Sequence, residues 1–225
     1  MHKKPVDYSG FSFRKLNDPR FSHILLLAGW FGYFALYFIT ENLIPVEKCH
    51  PVWCIVDDMI PFNEYFVIIY VAWYVLVFGS LAYTLFYDVQ RFREVQIFIM
   101  LTQAMAMAWY IIWPSIQLLR PAVFERQNFF TWLLGLIYAF DTPTGVCPSL
   151  HVAYTVGIMS SGVKDPDLSK GWKIFLVTFT VLVSLAVCFV KQHSFVDVMS
   201  AIPVCLIAEI LVHGKYWKER FSSGR

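Results

Sequence analysis

Long apolar stretches, separated by short polar segments, dominate the chain. Five of these stretches have about the 20 residues that an α-helix needs to cross the hydrocarbon core of a bilayer. They cover residues 24–44, 65–87, 95–113, 172–190 and 194–212. The polar segment 88–94 predicts a tight turn between the second and third of them. A sixth apolar stretch starts at Pro148-Ser149 and ends near Gly162; it is short for a span, so we expect its start to lie below the membrane surface. The pattern predicts an all-α polytopic membrane protein with six transmembrane helices.

The segment before the fourth span is irregular. Its apolar run, 129–140, is too short to cross a bilayer and predicts a short interfacial helix. The turn-forming cluster 141–145 follows this run. Pro114 disfavours a regular continuation of the third span, and Gln103, in the middle of that span, is expected to bond to another helix.

The composition agrees with a membrane protein, because 58% of the residues are hydrophobic and only 15% are charged. The net charge of +2 says little about partners. No run of Lys or Arg indicates a nucleic-acid site, and no Cys/His array has metal-ligand spacing. We therefore expect membrane lipids as partners, with no nucleic acid and no metal.

The distribution of basic residues predicts the orientation. With six spans, fourteen Lys and Arg residues fall on the side of the termini, and four fall on the other side; those four are Lys48, Arg120, Arg126 and Lys191. Cytoplasmic loops carry the excess of positive charge. The expected organisation is a cytoplasmic N-terminal segment (1–23) that partly lies on the membrane surface through Phe11, Phe13 and Phe21, a six-helix membrane domain (24–213) and a cytoplasmic tail (214–225). We expect the protein in the cell membrane, with its first span retained as an anchor.

His193 and Asp197 are four residues apart at the start of the last span. On a helix this spacing places both side chains on one face. A carboxylate bonded to one imidazole nitrogen fixes the tautomer and frees the other nitrogen as a nucleophile or base. The alternative interpretation is a polar pair that links helices within the bundle.

His151 follows Pro148 and Ser149, which are typical residues of a helix start. Ser149 could simply cap that helix. A helix N-terminus also suits a phosphate group, and His151 in its first turn could act as general acid and base on the same ligand.

Several polar residues on the same outer side could complete such a site. Arg120 and Lys191 could bind phosphate oxygens, or they could anchor the chain to lipid headgroups. Asp141 and Thr144 could line the pocket or only form a turn, and Glu41 could contact substrate or cap the first span.

Cys49 and Cys54 also lie on the outer side, where a disulfide is plausible. A disulfide and two free thiols remain equally open from the sequence.

The motifs Arg120-Pro121, Pro148-Ser149-x-His151 and His193-x-x-x-Asp197 occur in this order, each at the outer end of a predicted helix. In these motifs the chain resembles the type-2 phosphatidic acid phosphatase superfamily, over roughly residues 60–212. The resemblance implies a six-helix core, a phosphohistidine intermediate on His193 oriented by Asp197, and His151 as acid/base. It also implies a reaction that needs neither a metal nor a cofactor.

The chain departs from the family pattern at four positions. Trp113 replaces the Lys of the first motif, Leu150 the Gly of the second, and Ala186-Val187 the Ser-Arg of the third. Pro-Ser-Leu-His looks more like the branch of inositol phosphorylceramide synthases, which transfer a phospho-headgroup between lipids. Fewer cations favour a phosphodiester over the more highly charged monoester.

The resulting expectation is an integral-membrane lipid phosphatase or phosphotransferase that acts on a phospholipid or lipid phosphate at the outer leaflet. The acceptor would be water or a lipid hydroxyl. Two other functions stay open: a transporter or scramblase of anionic lipids, and a non-catalytic membrane homologue.

Overall fold

The computed structural model describes residues 4–222, so Lys3 and Arg225, counted above among the basic residues, lie outside it. Eight α-helices form the described part of the chain. They are α1 (Ala28–Leu43), α2 (Ile55–Met59), α3 (Val67–Tyr87), α4 (Val89–Ile112), α5 (Phe129–Phe140), α6 (Leu150–Lys164), α7 (Lys170–Phe189) and α8 (Phe195–Ser222). Short 3-10 turns at Ser22–Leu27 and Glu64–Phe66 lead into α1 and α3. Two short parallel strands, β1 (His50–Pro51) and β2 (Ser115–Ile116), pair in the loops.

The all-α membrane architecture is confirmed. Within the described residues, five helical segments are long and apolar enough to cross a membrane. They are Ser22–Leu43, Glu64–Tyr87, Val89–Ile112, Lys170–Phe189 and Phe195–Arg220. The predicted sixth span, α6, has 15 residues, so by length the structure supports five spans.

Helix α6 lies at the centre of the bundle, where it packs against α3, α4, α7 and α8. Its contact with α4 is close, because a Cβ atom at Gly157 would lie 2.5 Å from Cδ1 of the buried Phe98. The Gln103 amide donates a 2.8 Å hydrogen bond to the Tyr154 hydroxyl, which confirms the predicted bond to another helix. Because α6 is enclosed by other helices, most of its residues face protein, and a length of 15 residues is compatible with its position.

The predicted short helix before the fourth span is present, since α5 covers Phe129–Phe140. The predicted polar turn at 88–94 is not present as such, because α4 already begins at Val89. The Asp88 side chain caps this helix by accepting a hydrogen bond from the Arg91 amide. At the C-terminus, α8 runs without a break through residue 213 to Ser222, so no helix end marks the predicted start of the tail.

Charged side chains gather at the bundle end opposite the starts of α6 and α8. Arg91 pairs with Glu94 at 2.7 Å, and Lys164 pairs with Glu209 at 2.7 Å. The N-terminal segment packs at this end, where the Tyr8 hydroxyl donates to the Leu85 carbonyl at 2.7 Å. Phe21 is 1% exposed, so the prediction that the segment lies on the membrane surface through this residue is wrong, whereas Phe11 and Phe13 are exposed.

The loops that hold the two strands cover the other end of the bundle. The His50 amide donates to the Pro114 carbonyl and the Val52 amide to the Ile116 carbonyl, each at 2.8 Å. The His50 ring stacks on Trp113, with ring centroids 5.1 Å apart. This strand pairing holds the loop after α1 next to the segment between α4 and α5. Both segments lie at the bundle end where α6 and α8 begin.

Candidate active site

A small cavity of ≈ 60 Å³ lies at the loop-covered end of the bundle. Four residues singled out in the sequence line it together: Asp141, Thr144, His151 and His193. The remaining wall consists of Tyr33, Tyr37, Tyr110, Thr142, Gly145, Val146, Leu150 and Gln192. The structure therefore brings both predicted histidines to one cavity, although they are 42 positions apart in the chain.

The two imidazoles and a carboxylate form one line of hydrogen bonds. His151 Nδ1 lies 3.1 Å from His193 Nε2, and His193 Nδ1 lies 3.2 Å from Asp197 Oδ2. One proton arrangement satisfies both contacts: His193 Nδ1–H donates to Asp197, and His151 Nδ1–H donates to His193 Nε2. Each imidazole then carries one proton, and Nε2 of His193 has its lone pair directed at His151. A doubly protonated His193, whose Nε2–H donates to His151 Nδ1, satisfies the same two contacts.

A buried carboxylate outside the predicted motifs holds His193 in place. Asp57 accepts from the Phe195 amide at 2.7 Å and from the Ser194 hydroxyl at 2.6 Å. These donors belong to the first turn of α8, where a negative charge is favourable. The same carboxylate accepts from the Cys54 amide at 2.9 Å. The Cys54-x-x-Asp57 spacing is a signal for the start of α2, but nothing local in the sequence indicates that Asp57 also caps α8.

Aromatic side chains of α3 hold His151. The Trp73 indole N–H donates to the His151 carbonyl at 3.0 Å. The rings of Tyr70 and Trp73 lie 4.7 Å and 4.4 Å from the imidazole centroid. In addition, the Tyr110 hydroxyl donates to the Pro148 carbonyl at 2.6 Å. Sequence reasoning missed these three aromatic residues because they lie within apolar spans and belong to no motif that sets them apart.

Ser149 connects the two histidine motifs through its backbone, since its amide donates to the Asp197 carbonyl at 3.0 Å. Its side chain makes no capping hydrogen bond to α6, so the capping interpretation is wrong. Among the described residues, neither Ser149 Oγ nor Asp197 Oδ1 has a hydrogen-bond partner, although both atoms are buried. Such orphaned polar atoms are uncommon in folded proteins.

Arg120 lies behind the cavity wall. Its guanidinium donates to the carbonyls of Tyr138 and Asp141 at 3.3 Å and 2.8 Å and to the Gln192 side-chain oxygen. It also lies 4.5 Å from the centroid of the Tyr138 ring. Burial lowers the pKa of Arg120, and the charge of Asp141 acts in the opposite direction. In this arrangement Arg120 supports two wall residues and is not itself part of the wall.

Lys191 points away from the cavity. Its ammonium donates to the carbonyls of Asp57 and Ile60 at 3.1 Å and 2.5 Å. Burial lowers the pKa of Lys191, opposed by the charge of Asp57. Its backbone has φ 52°, a left-handed conformation that is uncommon outside glycine. The prediction that Lys191 binds phosphate is wrong in this geometry; Lys191 instead fixes the loop that carries Asp57.

Asp141 faces the cavity among neutral donors. Its carboxylate accepts from the Gln192 amide at 3.1 Å and from the hydroxyls of Tyr70 and Tyr37 at 3.2 Å and 3.4 Å. Glu41 lies at the neighbouring rim, where it accepts from the hydroxyls of Thr142 and Thr144.

The cysteines do not form the disulfide that the sequence left open, because Cys49 and Cys54 are both free thiols. Cys147, next to the second motif, is also free and is buried. Burial raises the pKa of Cys147 to about 11, so its thiol is protonated at neutral pH.

No family model matches the chain, and searches of curated proteins and of solved structures found no match either. The family resemblance therefore rests on the sequence motifs alone.

Proposed function

We propose that the protein is a membrane-embedded lipid phosphotransferase that works through a covalent phosphohistidine on His193. The observation that carries the proposal is the line Asp197–His193–His151, with N–O and N–N distances of 3.2 Å and 3.1 Å, at a cavity within a bundle of apolar helices. Ionisable groups at such a position are costly and usually functional.

The first step forms the adduct. Nε2 of His193 attacks phosphorus with its lone pair, a nitrogen–phosphorus bond forms, and the phosphorus–oxygen bond to the diacylglycerol breaks. The departing oxygen takes the bonding electron pair and receives a proton from His151, which enters the step as an imidazolium, having gained a proton as the anionic substrate binds, and leaves it as a neutral imidazole. Asp197 stabilises the positive charge that develops on His193 through the Nδ1–H bond.

The second step releases the phosphoryl group. His151, now a neutral imidazole, removes a proton from the acceptor hydroxyl with the nitrogen that gave up its proton. The acceptor oxygen bonds to phosphorus, and the nitrogen–phosphorus bond breaks with its electron pair returning to Nε2 of His193. Water as the acceptor gives hydrolysis, and a lipid hydroxyl gives transfer of the phospho-headgroup.

The proposal requires the two imidazoles to separate when substrate binds. An in-line displacement places the nucleophile and the leaving oxygen on opposite sides of phosphorus, with reacting atoms about 3–3.5 Å apart. Nitrogens 3.1 Å apart leave no room for this arrangement. His151 is the ring expected to move, because Asp197 holds His193 through Nδ1 while the described contacts of the His151 side chain are ring packing and the bond to His193.

The orientation belongs to the same proposal. The charge-rich bundle end with Arg91 and Lys164 would face the cytoplasm, and the cavity end would face the outer leaflet of the cell membrane. The excess of basic residues at the end opposite the cavity supports this assignment. Arg120 lies behind the wall and contacts the wall residues Asp141 and Gln192.

The test is a lipid assay with purified full-length protein in vesicles made from a mixed phospholipid extract. Mass spectrometry before and after incubation should show loss of at least one phospholipid and appearance of its diacylglycerol. The His193→Ala protein, in the same vesicles, should consume none. If both proteins leave the lipids unchanged while lipids move between leaflets, the protein is a transporter or scramblase; if neither chemistry nor movement occurs, it is a non-catalytic homologue.

A further inference from the structure

The charge of the cavity wall does not match a simple anionic ligand. Among the residues that line the cavity, Asp141 is the one carboxylate, and the wall contains neither Lys nor Arg. With one proton on each imidazole, the two histidines add no charge to the wall before substrate binds. A phosphodiester carries one negative charge, so its phosphate would meet a negative wall.

The charge of Asp141 is not neutralised by an ion pair. Within the described residues, the Asp141 side chain bonds to an amide and two phenol hydroxyls, all neutral. The guanidinium of Arg120 is directed to the Asp141 backbone carbonyl at 2.8 Å. A partly buried carboxylate with only neutral partners attracts a cation.

Three tyrosines line the same cavity: Tyr33, Tyr37 and Tyr110. The rings of Tyr33 and Tyr37 lie side by side, with centroids 6.1 Å apart and planes 34° from each other. Aromatic rings of this kind bind ammonium groups through cation–π attraction, above all quaternary ammonium groups. The aromatic wall and the carboxylate thus favour the same class of ligand, by two different interactions.

We infer that the site selects a zwitterionic phosphodiester headgroup, in which an ammonium group is joined to the phosphate by a short linker. This inference rests on the proposed function, because it places the phosphate at His193 and His151. The ammonium group lies against Asp141 and the tyrosines. During the first step the bond from phosphorus to the diacylglycerol oxygen breaks, and the ammonium-bearing phosphate stays on His193.

The inference explains how an anionic phosphate is accommodated next to Asp141. In phosphatidylcholine and phosphatidylethanolamine the ammonium group balances the phosphate, so the headgroup brings no net charge to the wall. In phosphatidylglycerol and phosphatidylinositol the phosphate charge stays unbalanced, and the carboxylate repels it.

The first experiment uses the wild-type full chain in vesicles that contain equal amounts of these four phospholipids. We expect the two zwitterionic lipids to be consumed about tenfold faster than the two anionic ones. Equal or faster consumption of phosphatidylglycerol or phosphatidylinositol would overturn the inference while leaving the histidine chemistry intact. Equal rates of phospholipid consumption by the wild-type and His193→Ala proteins would instead overturn the proposed function.

The second experiment changes the charge of the wall. Asp141→Asn keeps the shape of the side chain, and it should shift the ratio of kcat/KM for phosphatidylcholine over phosphatidylglycerol about tenfold towards the anionic lipid. Asp58→Asn removes an exposed carboxylate that bonds to the Trp53 indole outside the cavity, and it should leave the ratio unchanged. An unchanged ratio in Asp141→Asn contradicts the inference.

A binding measurement keeps the inference testable if turnover is absent or Asp141→Asn does not fold. The His193→Ala protein is titrated with short-chain phosphatidylcholine and with short-chain phosphatidylglycerol. We expect about tenfold tighter binding of phosphatidylcholine. Equal affinities, or a preference for phosphatidylglycerol, would show that the wall does not recognise the ammonium group.

Discussion

Asp197 touches His193 through a single oxygen. Its Oδ2 accepts from His193 Nδ1 at 3.2 Å and from the Ser194 amide at 2.9 Å, and the side chain is fully buried. This contact decides which imidazole nitrogen holds the proton, and it therefore decides whether Nε2 can act as a nucleophile.

Asp197→Asn is the isosteric change that tests this role. An amide can turn its NH₂ group towards His193 and favour the opposite tautomer, with the proton on Nε2 and no nucleophilic lone pair there. We expect kcat for lipid turnover to fall by about 10²–10⁴ with a much smaller change in KM, by analogy with carboxylate-to-amide changes in other catalytic triads. Asp167→Asn, an exposed change at the opposite end of the bundle, serves as the control, and equal rates in the two variants would remove Asp197 from the mechanism.

The hydrogen-bond partner of a site residue could be predicted from the sequence where that partner lies one helical turn away. The His193–Asp197 contact is of this kind. The roles of Lys191 and Arg120 could not be predicted, because most of their partners are distant backbone carbonyls, which carry no side-chain signature. Asp57 was missed for the same reason, since its partner Ser194 is 137 positions away.

At the scale of elements, α6 depends on close contact with α4. Gly157 faces the buried ring of Phe98, and Gly162 approaches Leu176 in a similar way. A short central helix buries its whole circumference only if its neighbours approach closely. The position of His151, in the first turn of α6, therefore depends on the packing of the rest of that helix.

Gly157→Ala tests this packing. The added Cβ would lie 2.5 Å from Phe98 Cδ1, so the ring or the helix must shift, at a cost of about 1–3 kcal/mol. We expect a lower midpoint of thermal unfolding in detergent and a lower rate of lipid turnover. Gly79→Ala in α3 is the matched control, because a Cβ there meets nothing within 4 Å and Ala is about 1 kcal/mol better than Gly in a helix. A Gly157→Ala protein as stable as Gly79→Ala would contradict the packing account.

The apolar pattern predicted most of the helices, and one of its failures occurs where a local cap overrides polarity. The helix at 129–140 was found from its length and the turn residues after it. The segment 88–94 was predicted as a turn because it is polar, but Asp88 caps α4 there and its polar side chains lie at the charged end of the bundle. The strand pair β1–β2 could not be foreseen, since two residues in each strand leave no periodic signal.

At the scale of the whole molecule, the described part of the bundle has two chemically different ends. One end holds the cavity with both histidines, and the other holds Arg91, Lys164 and their acidic partners. The proposed orientation assigns the first end to the outside and the second to the cytoplasm. The count of basic residues is the sequence feature that indicates this orientation. Labelling from one side of the membrane tests it directly.

Cysteine labelling of intact cells with a membrane-impermeant maleimide at pH 7 measures sidedness. We expect Cys49 and Cys54 to react, because both are partly exposed at the cavity end, and Cys49→Ser/Cys54→Ser to abolish the reaction. The buried Cys147, with its pKa raised to about 11, stays protonated and unreactive until the pH approaches that value.

The control for labelling introduces a thiol at the other end. Lys218→Cys, at an exposed position of α8, is placed in the Cys49→Ser/Cys54→Ser background. It should react only after the cells are permeabilised. Labelling of Lys218→Cys in intact cells, without labelling of Cys49 or Cys54 in the parent protein, would show that the orientation is the opposite of the one proposed.

The central claim is that His193 forms a bond to phosphorus while His151 handles the protons. The most direct test uses the His151→Ala protein and a phosphodiester whose leaving group is a nitrophenolate, because a nitrophenolate departs without a general acid. The reaction is quenched while turnover is in progress. Mass spectrometry of the digested protein should then show a phospho adduct on the peptide that contains His193, accumulated because no base activates the acceptor, and none in His151→Ala/His193→Ala. An adduct on a different residue, or rapid turnover with no adduct on His193, would contradict the account.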